Sequence, residues 1–253
     1  MRRILPGLVA ALSFLLIPIG AADASRPAYA GKAGDPDYHR PVVGECRDYT
    51  LADVAPRSNS TPVVDCAQTH TAKVIAVGRL PKGSTWSDYT IAQQWRMTYR
   101  VCLPAYRSIL GSNDALRDMS SFSTSWFIPT KAERDAGATW LRCDLILYAG
   151  TKLADLPYDT RPMLPAAPLP DTVARCRTKK FADTVCASGH TWRATGTFKL
   201  PDTTYPSEKR IRKAAINRCP GLTSSSTFHW TWRSETLWEW GDHQVVCYTK
   251  TRS

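Results

Sequence analysis

Alternating apolar and polar positions mark two similar strands in this chain. In the segment TWRATGTFKL, every second residue from Trp192 to Leu200 is apolar or small, and the residues between them are polar. This period of two is typical of a half-buried β-strand. The segment from Ala72 to Leu80 alternates in the same way. The pattern predicts inward faces formed by Trp192, Ala194, Gly196, Phe198 and Leu200 in one strand and by Ala72, Val74, Ala76, Gly78 and Leu80 in the other.

A helical pattern follows each of these strands. The first has Asp88 in its predicted first turn, and the second has Ser207 as its predicted N-cap. The predicted inward positions are Ile91, Trp95, Thr98 and Cys102 in one helix and Ile211, Ala215 and Cys219 in the other. Further short strand patterns surround each helix. The predicted fold class is α+β, with two small repeated domains, each with one helix packed on a small antiparallel sheet.

The two halves share sequence as well as pattern. CAQTHTAKVIAVGRLP begins at Cys66, and CASGHTWRATGTFKLP begins at Cys186. Other residues recur in the same order, which predicts a tandem duplication. The expected organisation is a flexible lead-in over 31–41, copy one over 42–150, an extended Pro-rich linker over 151–172 and copy two over 173–253. Besides the cysteines, the recurring residues are His70 and His190, Trp126 and Trp230, and Gly137 and Gly241.

Eight cysteines follow the first 45 residues, an even number that predicts disulfides in an exported protein. If each copy folds alone, three pairings are open within each copy. The first two cysteines of each copy flank a predicted hairpin, so we pair them with each other, and the remaining two would join the helix to the last strand. The expected bridges are Cys46–Cys66, Cys102–Cys143, Cys176–Cys186 and Cys219–Cys247. Proteolysis in the Pro-rich linker near Leu164, without reductant, should then release two separate fragments.

The first 30 residues have the pattern of a secretory signal peptide: two arginines, an apolar run and small residues at candidate cleavage sites after Ala24 and Ala30. The expected product is secreted or associated with the cell wall. An uncleaved signal that tethers the protein to the membrane is the alternative.

Charge and aromatic residues concentrate in copy two. The chain has a formal net charge of +11, and residues 173–250 hold thirteen Lys and Arg against six Asp and Glu, with five of the nine Trp. Basic groups beside aromatic rings favour contact with an anionic polymer. The expected partners are an anionic wall polymer or membrane-associated envelope proteins, and nucleic acid is not expected. The candidate binding residues are Trp232, Trp238, Trp240, Arg233, Lys209, Arg210, Arg212 and Lys213.

The repeated Cys-x-x-x-His could hold a metal or a nucleophilic thiol. A structural zinc site needs four ligands, usually from paired short spacings, and a catalytic thiol must be free of a disulfide. We therefore expect no catalytic residue, metal or cofactor, and we expect His70 and His190 to bond to backbone. The alternative is a secreted hydrolase of wall or nucleic acid that uses His70 or His190.

The spaced cysteines resemble the septum formation family of actinobacterial envelope proteins. The resemblance rests on Val-Gly-Glu-Cys at 43–46, VVDCAQTH with Cys66 and His70, and the later Cys, Trp and Gly positions. Thr69 and Gly189 replace the Pro that usually precedes the His, and Lys73 and Arg193 replace a Glu. The resemblance implies an exported or membrane-attached domain that is linked to division by name, and it implies no established enzymatic activity.

Overall fold

Two antiparallel sheets carry the alternating segments. The computed structural model describes residues 29–157 and 164–251. The predicted signal peptide lies outside the described residues apart from β1 (Tyr29–Ala30), which pairs with β2 (Tyr38–Arg40). Within the described ranges, none of the helices combines the length and the apolar character needed to cross a bilayer.

The first sheet and its helices form unit one. The strands lie in the order β4-β3-β5-β7-β6, and β8 pairs with β7. Helix α2 packs on β5 and β7. The elements in chain order are β3 (Cys46–Arg47), α1 (Leu51–Val54), β4 (Val63–Val64), β5 (Ala72–Arg79), a 3-10 turn (Trp86–Asp88), α2 (Ile91–Leu110), α3 (Asp114–Asp118), β6 (Phe122–Phe127), α4 (Lys131–Asp135), β7 (Trp140–Ala149) and β8 (Lys152–Leu153).

The second sheet and its helices form unit two, which repeats this arrangement. Its strand order is β10-β9-β11-β13-β12. When the strands of each unit are numbered along the chain, the two sheets have the same order. The fold class is therefore α+β with two sheet units, as the sequence predicts. The elements are β9 (Arg175–Arg177), β10 (Asp183–Val185), β11 (Trp192–Lys199), α5 (Glu208–Arg218), a 3-10 turn (Cys219–Leu222), β12 (Phe228–Trp232), α6 (Glu235–Glu239) and β13 (Gln244–Lys250).

Recurring residues occupy equivalent places in the two units. Trp126 lies opposite Cys143 on the neighbouring strand, and Trp230 lies opposite Cys247. Gly137 and Gly241 each precede the last long strand of their unit with φ values of 97° and 85°. A side chain at either position would be strained, which explains why Gly recurs there. Both glycines follow a short helix.

A β-bulge interrupts each long inner strand and corrects the predicted inward faces. The pairing shifts between Val74 and Ala76 in β5 and between Ala194 and Gly196 in β11. An extra residue in a strand moves the following side chains to the other face of the sheet. Trp192 therefore belongs to a different core cluster from Phe198. The prediction that all five alternating residues share one face is wrong for both strands.

Helix α2 also differs from its prediction. It begins at Ile91 behind the N-cap Thr90, whose hydroxyl accepts from Gln93 N, so Asp88 lies outside the helix. It continues past Cys102 to Leu110, because its last turn is buried against unit two. Thr98 and Cys102 are buried as predicted, whereas Ile91 and Trp95 are exposed. The second helical prediction, with Ser207 as the N-cap of α5, is confirmed.

The four disulfides join the cysteines that the sequence analysis pairs. Cys46–Cys66 and Cys176–Cys186 each join the first strands of a unit to the segment before its long inner strand. Cys102–Cys143 joins α2 to β7. Cys219–Cys247 joins the end of α5 to β13. No disulfide joins the two units, and each bridge should stabilise the fold by roughly 3 kcal/mol through its effect on the unfolded chain.

One hydrophobic core cluster nevertheless spans both units. Arg175 N donates to Met119 O at 2.7 Å, and Ser121 Oγ donates to Thr184 O at 2.7 Å. The described parts of the predicted linker, residues 151–157 and 164–172, contribute buried leucines, so these parts are packed at the interface and do not form an extended spacer. The shared cluster includes Ile109, Leu110, Phe122, Leu145 and Leu147 of unit one, Leu156, Leu164 and Leu169 of the linker, and Val173, Ala174, Cys176, Val185 and Cys186 of unit two.

The predicted lead-in likewise packs on unit one. Gly34 N donates to Ala136 O at 2.6 Å, and Trp140 Nε1 donates to Tyr38 O at 2.9 Å. Asp37 forms an ion pair with Arg79. These contacts correct the expectation that residues 31–41 are a flexible segment.

Candidate functional site

The tryptophans predicted from the sequence mostly serve the core of unit two. Trp238 is 1 % exposed, donates its indole N–H to Asp202 O at 3.0 Å and stacks on His243. Trp230 and Trp232 are partly buried against the same core cluster. The prediction that Trp238 contacts a ligand is therefore wrong, because its ring has no accessible face.

Arg233 is also engaged inside the protein. It forms an ion pair with Asp118 of unit one, and its Nε lies 2.9 Å from Asp242 Oδ2. Both carboxylate side chains are largely buried. The guanidinium group therefore connects the two units, and this arrangement corrects its assignment as a ligand-binding group.

The basic residues of α5 do lie on the surface. Lys209, Arg212 and Lys213 are exposed on the side of the helix opposite its buried face, and Arg210 forms an exposed ion pair with Asp202. Ile216 lies on the same exposed stripe. A solvated helix face accounts for this pattern, so a binding role for these residues stays a prediction.

A groove between α2 and α6 combines aromatic and charged side chains from both units. It encloses about 620 Å³ and is lined on the α2 side by Trp95, Arg96 and Tyr99 and on the α6 side by Glu235 and Glu239. Trp95 is 41 % exposed. We call these residues, with Trp240 beside them, the inter-unit groove.

Ring contacts hold the aromatic wall of the groove in place. Trp95 stacks on Tyr99, with ring centres 5.9 Å apart, and meets the edge of Trp126 at 5.1 Å. Tyr99 in turn stacks on Trp240 of unit two at 6.3 Å. Trp126 and Tyr99 thus fix the position of the Trp95 ring, which remains 41 % exposed. Such fixed aromatic faces are suited to stacking on flat apolar surfaces.

Charges of both signs line the groove, with Arg96 on the α2 side and Glu235 and Glu239 on the α6 side. Arg96 is exposed and lines the inter-unit groove. It also lines a second groove beside α2, of about 450 Å³, together with Arg79 and Arg100. The Arg100 guanidinium carbon lies 5.9 Å from the centre of the Trp240 ring. Burial raises the pKa of the Tyr99 phenol, which therefore stays protonated at neutral pH. The combination of cations and rings can hold an anionic group beside an apolar surface.

The two repeated histidines contact backbone. His70 Nδ1 lies 2.8 Å from Gln68 O, and His190 Nδ1 lies 2.9 Å from Ser188 O. The ligand atoms of His190 and the Cys176–Cys186 pair lie within 4.8 Å of one another. Both sulfur atoms belong to a disulfide, however, and metal coordination by Cys requires the thiolate. This cluster is therefore not a site for a metal ion while the disulfide is intact.

The main residues of the inter-unit groove are not apparent from the sequence. Helical spacing with Cys102 predicts that Trp95 points inward, and it does not distinguish Arg96 or Tyr99 from other surface residues. The spacing of Ile91, Trp95 and Tyr99 marks a second stripe of large apolar and aromatic residues on α2. The stripe forms a groove only because α6 of unit two lies opposite it. No local sequence pattern predicts this packing of one unit on the other.

Comparisons with known proteins gave one match. No curated protein and no solved structure matches this chain. The family model described as septum formation matches residues 44–247, a single span that includes both units and the linker. Because this span covers most of the chain, the chain belongs to the septum formation family.

Proposed function

We propose that this protein is a non-enzymatic, exported component of the cell envelope that acts by binding an anionic wall polymer in the inter-unit groove. The observation that carries the proposal is the exposed Trp95 ring with Arg96 next to it in a groove of about 620 Å³. The four disulfides are in keeping with an oxidising location outside the cytoplasm.

Aromatic rings and guanidinium groups are complementary to the two parts of such a polymer. The apolar face of a sugar ring can stack on Trp95, and an acidic group on the polymer can pair with Arg96. Arg100, which lies over Trp240 beside the groove, adds a second cation, so that Arg96 and Arg100 offset the charges of Glu235 and Glu239 on the α6 side. The basic helix α5 would add long-range attraction without forming a specific site.

The arrangement of His70 and His190 supports binding over hydrolysis. A general base must direct a ring nitrogen toward a proton of the substrate or of a water molecule. In both units Nδ1 is paired with a carbonyl two residues earlier in the chain, which leaves only Nε2 for that role. His70 is in addition buried, with 6 % of its surface exposed. The backbone contacts and the burial of His70 favour a structural role for the imidazoles.

Sedimentation with purified cell wall tests the proposal. We expect the protein to sediment with the wall at low salt and to be released as the salt concentration rises, because exposed charge pairs are screened. Trp95→Ala and Arg96→Ala should each weaken binding about tenfold, the effect of losing one stacking or ionic contact. Lys131→Ala is the matched control, since Lys131 is an exposed cation paired with Asp135 away from the groove.

Two results would contradict the proposal. Unchanged affinity of both groove variants would show that the polymer binds elsewhere on the surface. Release of soluble wall fragments by the wild-type protein, lost in His70→Ala or His190→Ala, would show that the protein is a hydrolase.

A further inference from the structure

The hairpin between β9 and β10 holds one phenylalanine at its tip in an unusual conformation. Phe181 has a φ of 61° and is 43 % exposed. A positive φ is uncommon for a bulky residue and is maintained only where the surrounding structure imposes it. Here Phe181 N donates to Thr178 O, and Thr178 N donates to Ala182 O, both at 2.9 Å. The loop thus fixes an aromatic side chain at the surface.

The equivalent loop of unit one has a different role. It spans residues 48–62, and its Tyr49, Leu51 and Val54 pack over the sheet face that carries Phe127 and Ile146. In unit two the loop has only residues 178–182. On the corresponding face of unit two, Met119 of unit one packs against Ala194, Val246 and Tyr248, and Trp192 and His229 are left partly exposed.

Neighbouring rings support Phe181 from one side only. Its ring centre lies 4.6 Å from that of His229 and 6.0 Å from that of Trp192. The Arg177 guanidinium carbon lies 5.9 Å from the same ring. These contacts restrict the orientation of the phenylalanine, so its outer surface is presented to solvent with little conformational freedom left to lose on binding.

Cations surround this tip. Lys179 and Lys180 precede Phe181 in the loop, and Lys250 lies opposite Trp192 on the neighbouring strand. All three are exposed, and none forms an ion pair with another described residue. Arg177 pairs with Asp183, the nearest acidic residue in the hairpin. The tip therefore has an excess of positive charge.

We propose that this hairpin tip, defined by Lys179, Lys180 and Phe181, binds the surface of an anionic lipid bilayer. A single aromatic side chain on a projecting loop can enter the interfacial region of a bilayer, and the adjacent lysines can contact lipid phosphates. A peptide or a sugar polymer would be expected to use a groove, and the grooves at α2 are formed by other residues. One aromatic residue with two lysines gives weak, reversible attachment.

This site is separate from the inter-unit groove. Its ligand is a lipid surface, and none of its three residues lines the groove. Membrane attachment at the tip therefore does not depend on whether the groove binds a wall polymer.

Vesicle sedimentation with the full mature chain tests the proposal. We expect binding to vesicles that contain phosphatidylglycerol and none to vesicles of phosphatidylcholine alone. Lys179→Ala and Lys180→Ala should each lower the partition coefficient about fivefold. Phe181→Asn should abolish most of the remaining binding and keep the fold, because Asn tolerates positive φ. The double variant Lys32→Ala/Lys82→Ala removes two charges from exposed positions of unit one, as many as Lys179→Ala and Lys180→Ala remove when combined, and it should bind like the wild type.

The outcomes separate this site from general electrostatic attraction. Equal losses in the tip variants and in the unit-one control would overturn the proposal, since the whole charge of the protein would then be responsible. Inorganic polyphosphate serves as a bilayer-free probe. If its binding falls as much in Phe181→Asn as vesicle binding does, the tip recognises polyanions and the lipid assignment is wrong. Loss of vesicle binding alone supports insertion of Phe181.

Discussion

Arg233 of unit two forms a salt bridge with Asp118 of unit one, and the same guanidinium group contacts Asp242. Asp118 is 4 % exposed, so its charge depends on Arg233 for compensation. Removal of one partner of a buried ion pair leaves the other charge without compensation, which costs more than the pair contributes. This contact therefore couples the stability of the two units.

We expect Arg233→Ala to lower the free energy of unfolding by about 3 kcal/mol. Chemical denaturation followed by Trp fluorescence provides the measurement. Arg210→Ala is the control, because Arg210 forms an exposed pair with Asp202 and should change stability by less than about 1 kcal/mol. Equal effects of the two substitutions on the free energy of unfolding would show that the interface pair contributes no more to stability than the exposed pair.

Cleavage of the linker should not separate the units under native conditions. A site-specific protease sequence placed between residues 157 and 164 would cut the chain between the units. We expect the two fragments to elute together in size-exclusion chromatography, because the core around Leu147, Val173 and Leu169 is shared. They should separate in urea without reductant, since no disulfide joins the units. Separation without denaturant would contradict the shared core.

Local patterns were sufficient for the strands, the disulfides and one helix start. Ser207 caps α5 because its side-chain oxygen accepts from Arg210 N, a contact within one turn that the sequence itself encodes. The cysteine pairs follow from hairpins that recur in both halves. These features depend on residues that are close in the chain or repeated in it.

Features that depend on distant contacts were not predictable. The bulge after Val74 moves the following side chains to the opposite face of the sheet, and no distinctive residue in the sequence marks its position. Trp95 is exposed because the packed face of α2 is centred on Thr98, and one helical stripe cannot be told from its neighbour by spacing alone. The inter-unit groove also requires the packing of one unit on the other, which the linker composition did not suggest.

The two repeated histidines should differ in their effect on stability. His70 is buried, whereas His190 is partly exposed, although each contacts a carbonyl two residues earlier. Loss of a buried hydrogen-bond partner costs about 1–3 kcal/mol. We therefore expect His70→Ala to lower the free energy of unfolding by this amount and His190→Ala to lower it by less. Thermal unfolding of both variants, with wall sedimentation as a second measurement, would reveal a functional role if binding fell while stability was unchanged.

His229 should titrate far below an ordinary histidine. Burial and the positive charge of Arg177, whose Nη1 lies 3.1 Å from His229 Nε2, lower the pKa of His229 from 6.5 to about 4. Between these two pH values the unfolded chain binds more protons at this residue than the folded protein does. Stability should therefore fall as the pH decreases from about 6.5 to about 4, and this residue should have no effect above that range.

NMR titration of the His229 ring carbons gives the folded-state pKa directly. Arg177→Ala should raise this pKa toward 6.5, because it removes the neighbouring charge and opens the ring to water. Arg218→Ala is the control, since that arginine lies over Phe198 and is not among the causes of the shift. A wild-type pKa near 6.5, or one that does not change in Arg177→Ala, would show that the imidazole is not held neutral by this contact.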